Sequence, residues 1–380
     1  MTADGYRIAL LDWLACAAAG RAEPAARAAG AAGTGVLDRV TYAGTAGHVL
    51  DFDDTFLPGL VHLSAPTAPA ALVLGAETGA TCGEALDAYS AGFEAMAALS
   101  EASHPALYAG GWHATAVCGV VGAAVAASRL LGLDPERERT AVRLALLQAG
   151  GLRAAFGSDG KSLQVGFAAA AGVQAARLAE AGASARDTAR GPAGFEEAFG
   201  GSWAEPDEAR AVERNWIKAY PCCLKAHSAI EVAAAHGAAD GPLVVRVHPR
   251  ARQAAPYDDV ATGLEAKFSI PYVTAYTLLH GPPAAPEAFA AVHDGARELA
   301  GRHVSVETDE ALGEAEAVLL ADAEEVARVP AATGSPDNPM TPDRLAAKVT
   351  MLAGDRLAGA LDDPGMPAAE LLEAAGLGRA

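Results

Sequence analysis

The chain has 380 residues and a formal net charge of -19 at pH 7. This charge argues against a nucleic-acid partner and against an anionic membrane surface, since both would be repelled. Hydrophobic residues make up 51% of the chain and aromatic residues only 6%, a composition typical of closely packed helices built from small side chains. The length predicts two domains, because single domains usually have roughly 100–200 residues.

The cysteines and the N-terminal segment indicate the compartment. The five cysteines show no CxxC spacing, and an odd number argues against a complete disulfide framework. Residues 1–10 lack the basic segment and apolar core of a signal peptide. The longest apolar run, residues 114–127, is too short and too rich in Gly and Ala to span a membrane, and it predicts a buried helix. We expect a cytoplasmic protein.

From Tyr6 to Arg214, apolar stretches of helical length alternate with Gly or Pro. In residues 83–94, for example, Leu86, Tyr89 and Phe93 recur at spacings of three and four, which predicts an amphipathic helix. The pattern predicts one helical body.

Beyond Trp216 the pattern changes. Residues 242–249 are rich in β-branched side chains and bounded by prolines, which predicts a strand. The other elements expected in this region are weaker strands at 303–307 and 317–321 and helices at 271–280 and 286–299. A turn-rich segment at 334–339 precedes a helix at 341–358. The predicted fold is therefore mostly α, with a large all-helical domain (1–215 and 335–380) and a smaller inserted α+β domain (216–334).

The densest polar cluster occupies residues 48–55 and is followed by His62. If this segment is helical, His48, Asp51 and Thr55 share one face. One interpretation is a helix cap with solvated acids, and another is an acidic magnesium site similar to that of terpene cyclases. The expected acidic residue after Asp54 and the Asn/Ser/Glu partner motif of such cyclases are missing.

Two histidines have unusual sequence settings. His113 follows a glycine pair and precedes an apolar helix, so its side chain can face a cavity. His227 lies beside the Tyr-Pro-Cys-Cys segment at the expected domain junction. We interpret the following histidines as ordinary core or surface residues: His104, His236, His248, His280, His293 and His303.

Lysine is rare, with five copies among 28 basic residues. Lys161 follows a Gly-Ser-Asp-Gly turn, which would present its ammonium group to a cleft, and Lys218 and Lys225 flank the Tyr-Pro-Cys-Cys segment. In so acidic a protein an anionic substrate needs a local cation. We therefore regard Lys161, Lys218 and Lys225 as candidate substrate-binding residues.

Together these segments resemble the MmgE/PrpD family, which includes 2-methylcitrate dehydratase, cis-aconitate decarboxylase and an iminodisuccinate epimerase. The matching segments, in family order, are HVLDFDDT (48–55), GWHATAVCG (111–119), GSDGKSLQVG (157–166), KAYPCCLKAH (218–227), EAKFSIPYV (265–273) and NPMT (338–341). The resemblance implies a helical domain built from both chain ends, an inserted α+β lid domain, and an active site in the cleft.

The resemblance also implies which residues face the substrate: Asp51, Thr55, His62, His113, Lys161, His227 and Tyr272, with Lys218 and Lys225 less firmly aligned. Lys161, assisted by a protonated His62, would bind carboxylates, and Asp51 would orient a neighbouring histidine. His113 or His227 would be the base, and the other histidine or Tyr272 the acid. Gln164 stands where many relatives carry a histidine, and the loop from Thr55 to His62 is about one residue longer than in the decarboxylase branch.

The expected function is a cofactor-independent lyase, a dehydratase or decarboxylase of a small di- or tricarboxylate. An epimerase or isomerase is the alternative, and a non-catalytic binding protein is a third. No metal site is expected, because the acidic cluster lacks a complete ligand set and cysteine pairs at metal-binding spacing are absent. We also expect a homodimer, since a helical body rich in Ala and Gly leaves an apolar face for a second copy.

Overall fold

A computed structural model describes residues 2–207, 210–237 and 241–378; the predicted domain limits at residues 1 and 380 lie outside these ranges. Helices dominate the N-terminal half of the chain. Their bounds are α1 Thr2–Gly20, α2 Pro24–Ala32, α3 Val36–His48, α4 Ser64–Thr78, α5 Cys82–Ser103, α6 Ala106–Ala109, α7 Ala114–Leu130, α8 Pro135–Leu146, α9 Gly160–Glu180 and α10 Phe195–Phe199.

Small side chains allow the helices of this half to pack closely around α7. Helix α7 is buried along almost its whole length and contacts α4, α5, α8 and α9. Where α5 crosses α7, a Cβ atom at Gly92 would lie 2.4 Å from the carbonyl oxygen of Gly122, so only glycine fits there. The abundance of Ala and Gly in the sequence is thus explained by helix packing.

The C-terminal segment returns to the same hydrophobic core. Helix α16 (Pro342–Ala353) packs against α1, and α17 (Ala368–Ala374) packs against α4. Leu352, Leu371 and Leu372 join the core formed by the N-terminal helices. We call α1–α10, α16 and α17 the helical part.

Between α10 and α16 the chain forms an α+β part with its own hydrophobic core. Its helices are α11 His227–His236, α12 Pro249–Ala254, α13 Gly263–Ala266, α14 Ile270–His280 and α15 Asp294–His303. Its sheet contains β3 Leu243–Val247, β4 Val304–Thr308, β5 Ala317–Ala321 and β6 Glu324–Val329, in the order β4-β3-β5-β6. Strands β3 and β4 are parallel, and the other two pairs are antiparallel.

A short antiparallel pair joins the two parts. Strand β1 (Thr55–Phe56) follows the polar cluster, and β2 (Asn215–Trp216) precedes the α+β part. Thr55 pairs with Trp216, and the Asn215 side chain donates a hydrogen bond to Asp54 over 2.7 Å. The position of the polar cluster is therefore fixed at the junction.

The mostly α fold with an α+β section agrees with the sequence prediction, whereas the exact domain boundaries stay a prediction. Strands β3, β4 and β5 were expected and β6 was not. The helix predicted at 286–299 was wrong: a 3-10 turn occupies Pro286–Phe289, and α15 begins at Asp294. The helix predicted at 341–358 ends at Ala353. Among the described residues, no helix is long and apolar enough to cross a membrane.

Candidate active site

The polar cluster is not a continuous helix, so the predicted shared face of His48, Asp51 and Thr55 was wrong. Helix α3 ends at His48, Asp51 adopts a left-handed backbone conformation with φ of 53°, and Thr55 lies in β1. This conformation costs a non-glycine residue about 1–3 kcal/mol, and it persists only where contacts with the surroundings hold the residue in place. The surroundings of Asp51 are therefore part of the site.

Two lysines bind the Asp51 carboxylate. Lys161, in the first turn of α9, places Nζ 3.0 Å from Oδ1, and Lys218, just after β2, places Nζ 2.9 Å from the same oxygen. Burial alone would raise the pKa of Asp51, but the two ammonium groups lower it, so the carboxyl group is ionised. Its second oxygen, Oδ2, is buried and has no hydrogen-bond partner among the described residues.

A second carboxylate, Asp53, organises two histidines. Its Oδ2 lies 2.9 Å from Nδ1 of His48 and 3.2 Å from Nδ1 of His62. Lys161 Nζ is 2.9 Å from Nε2 of His48, and an ammonium group only donates, so Nδ1 of His48 carries the proton that Asp53 accepts. Burial would raise the pKa of Asp53, but His48 and His62 lower it well below its usual range.

Gln164 fixes the protonation of His113. The Gln164 side chain accepts a hydrogen bond from Leu152 N at 2.9 Å, and its Nε2 lies 2.6 Å from Nδ1 of His113. The amide therefore donates to Nδ1, and the proton of neutral His113 resides on Nε2. His113 is the N-cap residue of α7, but its side chain does not cap the helix and lines a cavity instead.

This cavity measures about 40 Å³ and lies between the helical part and the α+β part. Its lining residues are Asp51, Thr55, Leu60, His62, Tyr108, His113, Thr115, Phe156, Lys161, Lys218, Cys223, Leu224, Lys225, Ala254 and Phe268. The lining has three lysines and one carboxylate, and the hydroxyl of Thr55 is buried without a partner in the described chain.

Three helices begin at this cavity. His62 precedes the first residue of α4 by two positions, His113 caps α7, and Lys161 lies in the first turn of α9. Helix N-termini present unpaired N–H groups and a partial positive charge, which favour a bound anion. The helix N-termini and the lysines therefore both favour a negatively charged ligand.

Lys225 lines the cavity but already has a partner. Its Nζ lies 2.9 Å from Oε2 of Glu314 and 3.1 Å from the Glu314 carbonyl oxygen. Burial lowers the pKa of Lys225, and Glu314 opposes this shift. Lys161 and Lys218 share a carboxylate of the cavity lining, Asp51. Lys225 instead pairs with Glu314, which does not line the cavity.

Two predicted residues, His227 and Tyr272, lie outside the cavity lining. His227 begins α11, and its Nε2 donates to the carbonyl oxygen of Cys222 over 3.3 Å. The Tyr272 hydroxyl accepts a hydrogen bond from the His293 backbone N–H at 2.9 Å, within the core of the α+β part. Because the first turn of α14 directs Tyr272 into that core, the geometry does not place it at the substrate.

The cavity histidines are neutral near pH 7. Burial lowers the pKa of His62 to about 3, with Asp53 only partly opposing the shift. Burial and then Lys161 lower the pKa of His113 well below its usual value. The expected protonated His62 was therefore wrong, and lysines carry the positive charge of the site. The pKa of Lys218 is raised, since Asp51 and Asp53 outweigh its burial.

Among the described residues, one trio has metal-ligand atoms within 4.8 Å of one another: His48, Asp53 and His62. Its chemistry fits a metal ion poorly, because the Lys161 hydrogen bond to Nε2 of His48 keeps the proton on Nδ1, the nitrogen that would have to bind the ion. Independence from metal ions stays a prediction.

The sequence predictions missed several residues in or beside this site. His48 and Asp53 were noted in the polar cluster without a role, and Cys223 lines the cavity. Lys267 was overlooked, although the scarcity of lysine was a usable signal: all five lysines are buried, at 7% exposure or less.

Comparison with known proteins identifies the family of the chain. The MmgE/PrpD N-terminal domain matches residues 40–205, and the MmgE/PrpD C-terminal domain matches residues 220–363. A cis-aconitate decarboxylase-like protein of Aspergillus oryzae is 41% identical over 113 residues, covering 30% of this chain and 20% of that protein. Cis-aconitate decarboxylase of Aspergillus terreus is 33% identical over 156 residues, covering 37% of this chain and 32% of that protein. The chain thus spans less than two thirds of the length of the curated relatives it matches. Since the two family domains together cover most of the sequence, the chain belongs to the MmgE/PrpD family.

Proposed function

We propose that this protein is a cofactor-independent lyase that removes carbon dioxide or water from a small di- or tricarboxylate. The observation that carries the proposal is the cavity, in which three lysines and one ionised carboxylate surround two neutral histidines. Lysines supply fixed positive charge for an anionic substrate, and neutral histidines transfer protons near neutral pH.

Substrate binding is assigned to Lys161 and Lys218. Both ammonium groups contact Asp51 Oδ1 and line the cavity, so a substrate carboxylate can share or replace that contact. The excess of lysines over carboxylates in the lining leaves the site attractive to an anion in a protein of net charge -19. The buried Thr55 hydroxyl offers a further hydrogen bond.

Proton transfer is assigned to His62, and hydrogen bonding of the reacting oxygen is assigned to His113. In a decarboxylation, the C–C bond to one carboxylate breaks, carbon dioxide leaves, and the electron pair on the remaining carbon takes up a proton. In a dehydration, a base removes a C–H proton and an acid protonates the departing hydroxide. His62, between Asp51 and Asp53, carries the proton: in a dehydration it takes the C–H proton and passes it to the departing hydroxide, and in a decarboxylation it passes a proton from solvent to the carbanion. Neutral His113 keeps its Nε2 proton and donates a hydrogen bond to the substrate oxygen on which charge develops.

We propose that the α+β part, residues 216–334, acts as a lid domain over the cavity. A volume of about 40 Å³ holds only a few water molecules, whereas small-molecule pockets measure roughly 300–1,000 Å³. The lining combines side chains of both parts, so separating the two parts would open the cavity. Substrate entry therefore requires movement of the lid.

The comparisons favour decarboxylation within this reaction class. Both reported relatives are named as cis-aconitate decarboxylases or decarboxylase-like proteins. The aromatic rings of Phe156 and Phe268, whose centroids lie 5.6 and 5.5 Å from Lys161 Nζ, supply an apolar wall beside the cations. A carboxylate placed against such a wall loses hydration, which favours its departure as neutral carbon dioxide.

Mass balance tests the proposal. The purified protein is incubated with tricarboxylates, succinates and their hydroxy and amino derivatives, and the products are identified by NMR and mass spectrometry. We expect one carboxylate to be consumed with loss of carbon dioxide or water. Conversion without a change of mass would make the protein an epimerase, and no conversion across the panel would support the non-catalytic interpretation.

A further inference from the structure

Three successive backbone carbonyl groups around Asp51 each accept a hydrogen bond from a lysine ammonium group. Lys267 Nζ lies 2.7 Å from Leu50 O, Lys218 Nζ lies 2.9 Å from Asp51 O, and Lys348 Nζ lies 2.7 Å from Phe52 O. The three lysines are 217, 167 and 296 residues away from these carbonyls in sequence. Lysines from three separate segments therefore hold residues 50–52, which we call the Asp51 loop.

These contacts decide where the Asp51 side chain points. A carbonyl outside regular structure needs a donor when it is buried, and a charged donor binds more strongly than a neutral one. Asp51 is held in the left-handed region, and its side chain lies within reach of Lys161, Lys218 and His62. A change of the loop would move Oδ1 and Oδ2 away from the cavity lining.

Lys267 differs from the other two lysines. Lys348 belongs to the helical part and also pairs with Asp12 at 2.6 Å, and Lys218 binds Asp51 directly. Lys267 lies at the end of α13 in the α+β part, and Leu50 O is its hydrogen-bond partner in the described chain. Lys267 does not line the 40 Å³ cavity. Its hydrogen bond therefore reaches the site through the backbone of the Asp51 loop.

We infer that Lys267 is a positioning residue: it reaches from the α+β part to Leu50 O and makes the alignment of Asp51 depend on closure of that part over the cavity. Opening the lid breaks this hydrogen bond and releases the Asp51 loop, and closing the lid restores it. The inference rests on the proposed function, since Asp51 matters only if the cavity is catalytic.

The surroundings of Lys267 add a pH-sensitive element. Burial lowers the pKa of Lys267 to about 8, although Asp51, Glu23 and Cys222 act in the opposite direction and Lys161 acts in the same direction as burial. A small cavity of about 20 Å³ beside Lys267 also brings His48 and Asp159 close to it. Above pH about 8 the loss of the ammonium charge weakens the hydrogen bond to Leu50 O.

Lys267→Met tests the inference, and Arg153→Met is the matched control. Arg153 also crosses to the α+β part, donating to Gln253 O over 2.8 Å, but it does not touch the Asp51 loop. Hydrogen exchange of a peptide covering residues 49–54 is measured in both variants, because the Asp51 amide donates to His48 O at 3.0 Å and reports the loop directly. Lys267→Gln serves as a second variant if the methionine variant does not fold.

In Lys267→Met we expect faster exchange at residues 49–54, kcat lower by about 10-fold, and KM changed by less than about 3-fold, because the lost charged hydrogen bond does not touch the substrate. The fall in wild-type kcat above pH about 8 should disappear in this variant. Arg153→Met should leave the exchange of residues 49–54 unchanged.

The inference would be overturned if hydrogen exchange of residues 49–54 were unchanged in Lys267→Met, or if it were equally accelerated in Arg153→Met. Faster exchange with unchanged kcat would also overturn it, since the loop position would then not matter for turnover. If the wild-type protein converts no carboxylate in the panel, the proposed function fails, and the exchange comparison alone decides whether Lys267 holds the loop.

Discussion

Gln164 and His113 form a hydrogen bond of 2.6 Å in which the amide donates to Nδ1 and the histidine proton resides on Nε2. Gln164→Leu removes this donor, and Gln164→Glu replaces it with an acceptor that favours the opposite tautomer. We expect kcat to fall by about 10-fold in the leucine variant, because losing the hydrogen bond that orients His113 should raise the activation free energy by roughly 1.4 kcal/mol, and we expect kcat to fall further in the glutamate variant. Steady-state kinetics on the carboxylate identified by the panel provides the measurement. Wild-type kcat in Gln164→Glu would show that the Nε2 proton of His113 takes no part.

The buried neutral histidines predict loss of stability in acid. Burial lowers the pKa of His62 and of His227 to about 3, so below their unfolded pKa of roughly 6.5 the unfolded chain binds protons that the folded chain excludes. Stability from these groups is therefore present above pH 6.5 and is lost as the pH falls from 6.5 toward 3. Burial also lowers the pKa of His48, His104 and His113, whereas it raises the pKa of Asp54 to about 7 and raises the pKa of Asp12.

Because the five histidines outnumber the two carboxyl groups, the free energy of unfolding should fall by on the order of 3 kcal/mol between pH 6 and pH 5. Urea titrations at the two pH values measure this change. His227→Gln removes one histidine from outside the cavity lining, so its pH dependence should be weaker by about 1.4 kcal/mol per pH unit. A free energy that is constant or rises toward pH 5 would show that the histidines are already protonated in the folded protein.

Turnover should not require a metal ion. In the trio His48, Asp53 and His62, Nδ1 of His48 is hydrogen-bonded to Asp53 and Nε2 of His48 accepts a hydrogen bond from Lys161. Neither nitrogen of His48 is therefore free to bind a metal ion. Dialysis against a chelator should leave kcat unchanged. Loss of activity that magnesium or zinc restores would revive the acidic metal site considered from the sequence.

The prediction of a homodimer is separate from the chemistry of the cavity. An apolar groove of about 630 Å³ lies between α1 and α16, where Ile8 is 39% exposed. Sedimentation at micromolar concentration should give the mass of two chains. A single species with the monomer mass would contradict the prediction.

The sequence predicted elements where the local pattern decides the structure. Strand β3 was expected because Val244, Val245 and Val247 favour a strand. Strand β6 was missed because half of its sequence, EEVARV, is charged and most of it is exposed. The shared helical face considered for His48, Asp51 and Thr55 does not form, since the left-handed Asp51 is held by lysines from distant segments. Such long-range contacts leave no periodic signal.

In the candidate site, too, the sequence identified residues but could not specify the long-range contacts that orient their side chains. Lys161 and Asp51 were both predicted, and the fold brings them to 3.0 Å across a separation of 110 residues. The prediction of His227 rests on its position at the domain junction and on the family resemblance, and that of Tyr272 rests on the resemblance. Neither specifies the direction of a side chain. Helix starts at Ile270 and His227 orient both residues away from the cavity lining.

The central claim is that Lys161 binds a substrate carboxylate in the cavity. Lys161 is 7% exposed and is hydrogen-bonded to Asp51 and His48, so its ammonium group is buried in the cleft. The affinity for propane-1,2,3-tricarboxylate and the turnover are measured in Lys161→Met, with the exposed Arg139→Met as control.

Losing one charged hydrogen bond should weaken binding by about 2–5 kcal/mol, or roughly 30- to several thousand-fold, and turnover should be lost while the variant remains folded. Arg139→Met should behave as wild type. Near-normal tricarboxylate affinity and turnover in a folded Lys161→Met variant would contradict the account.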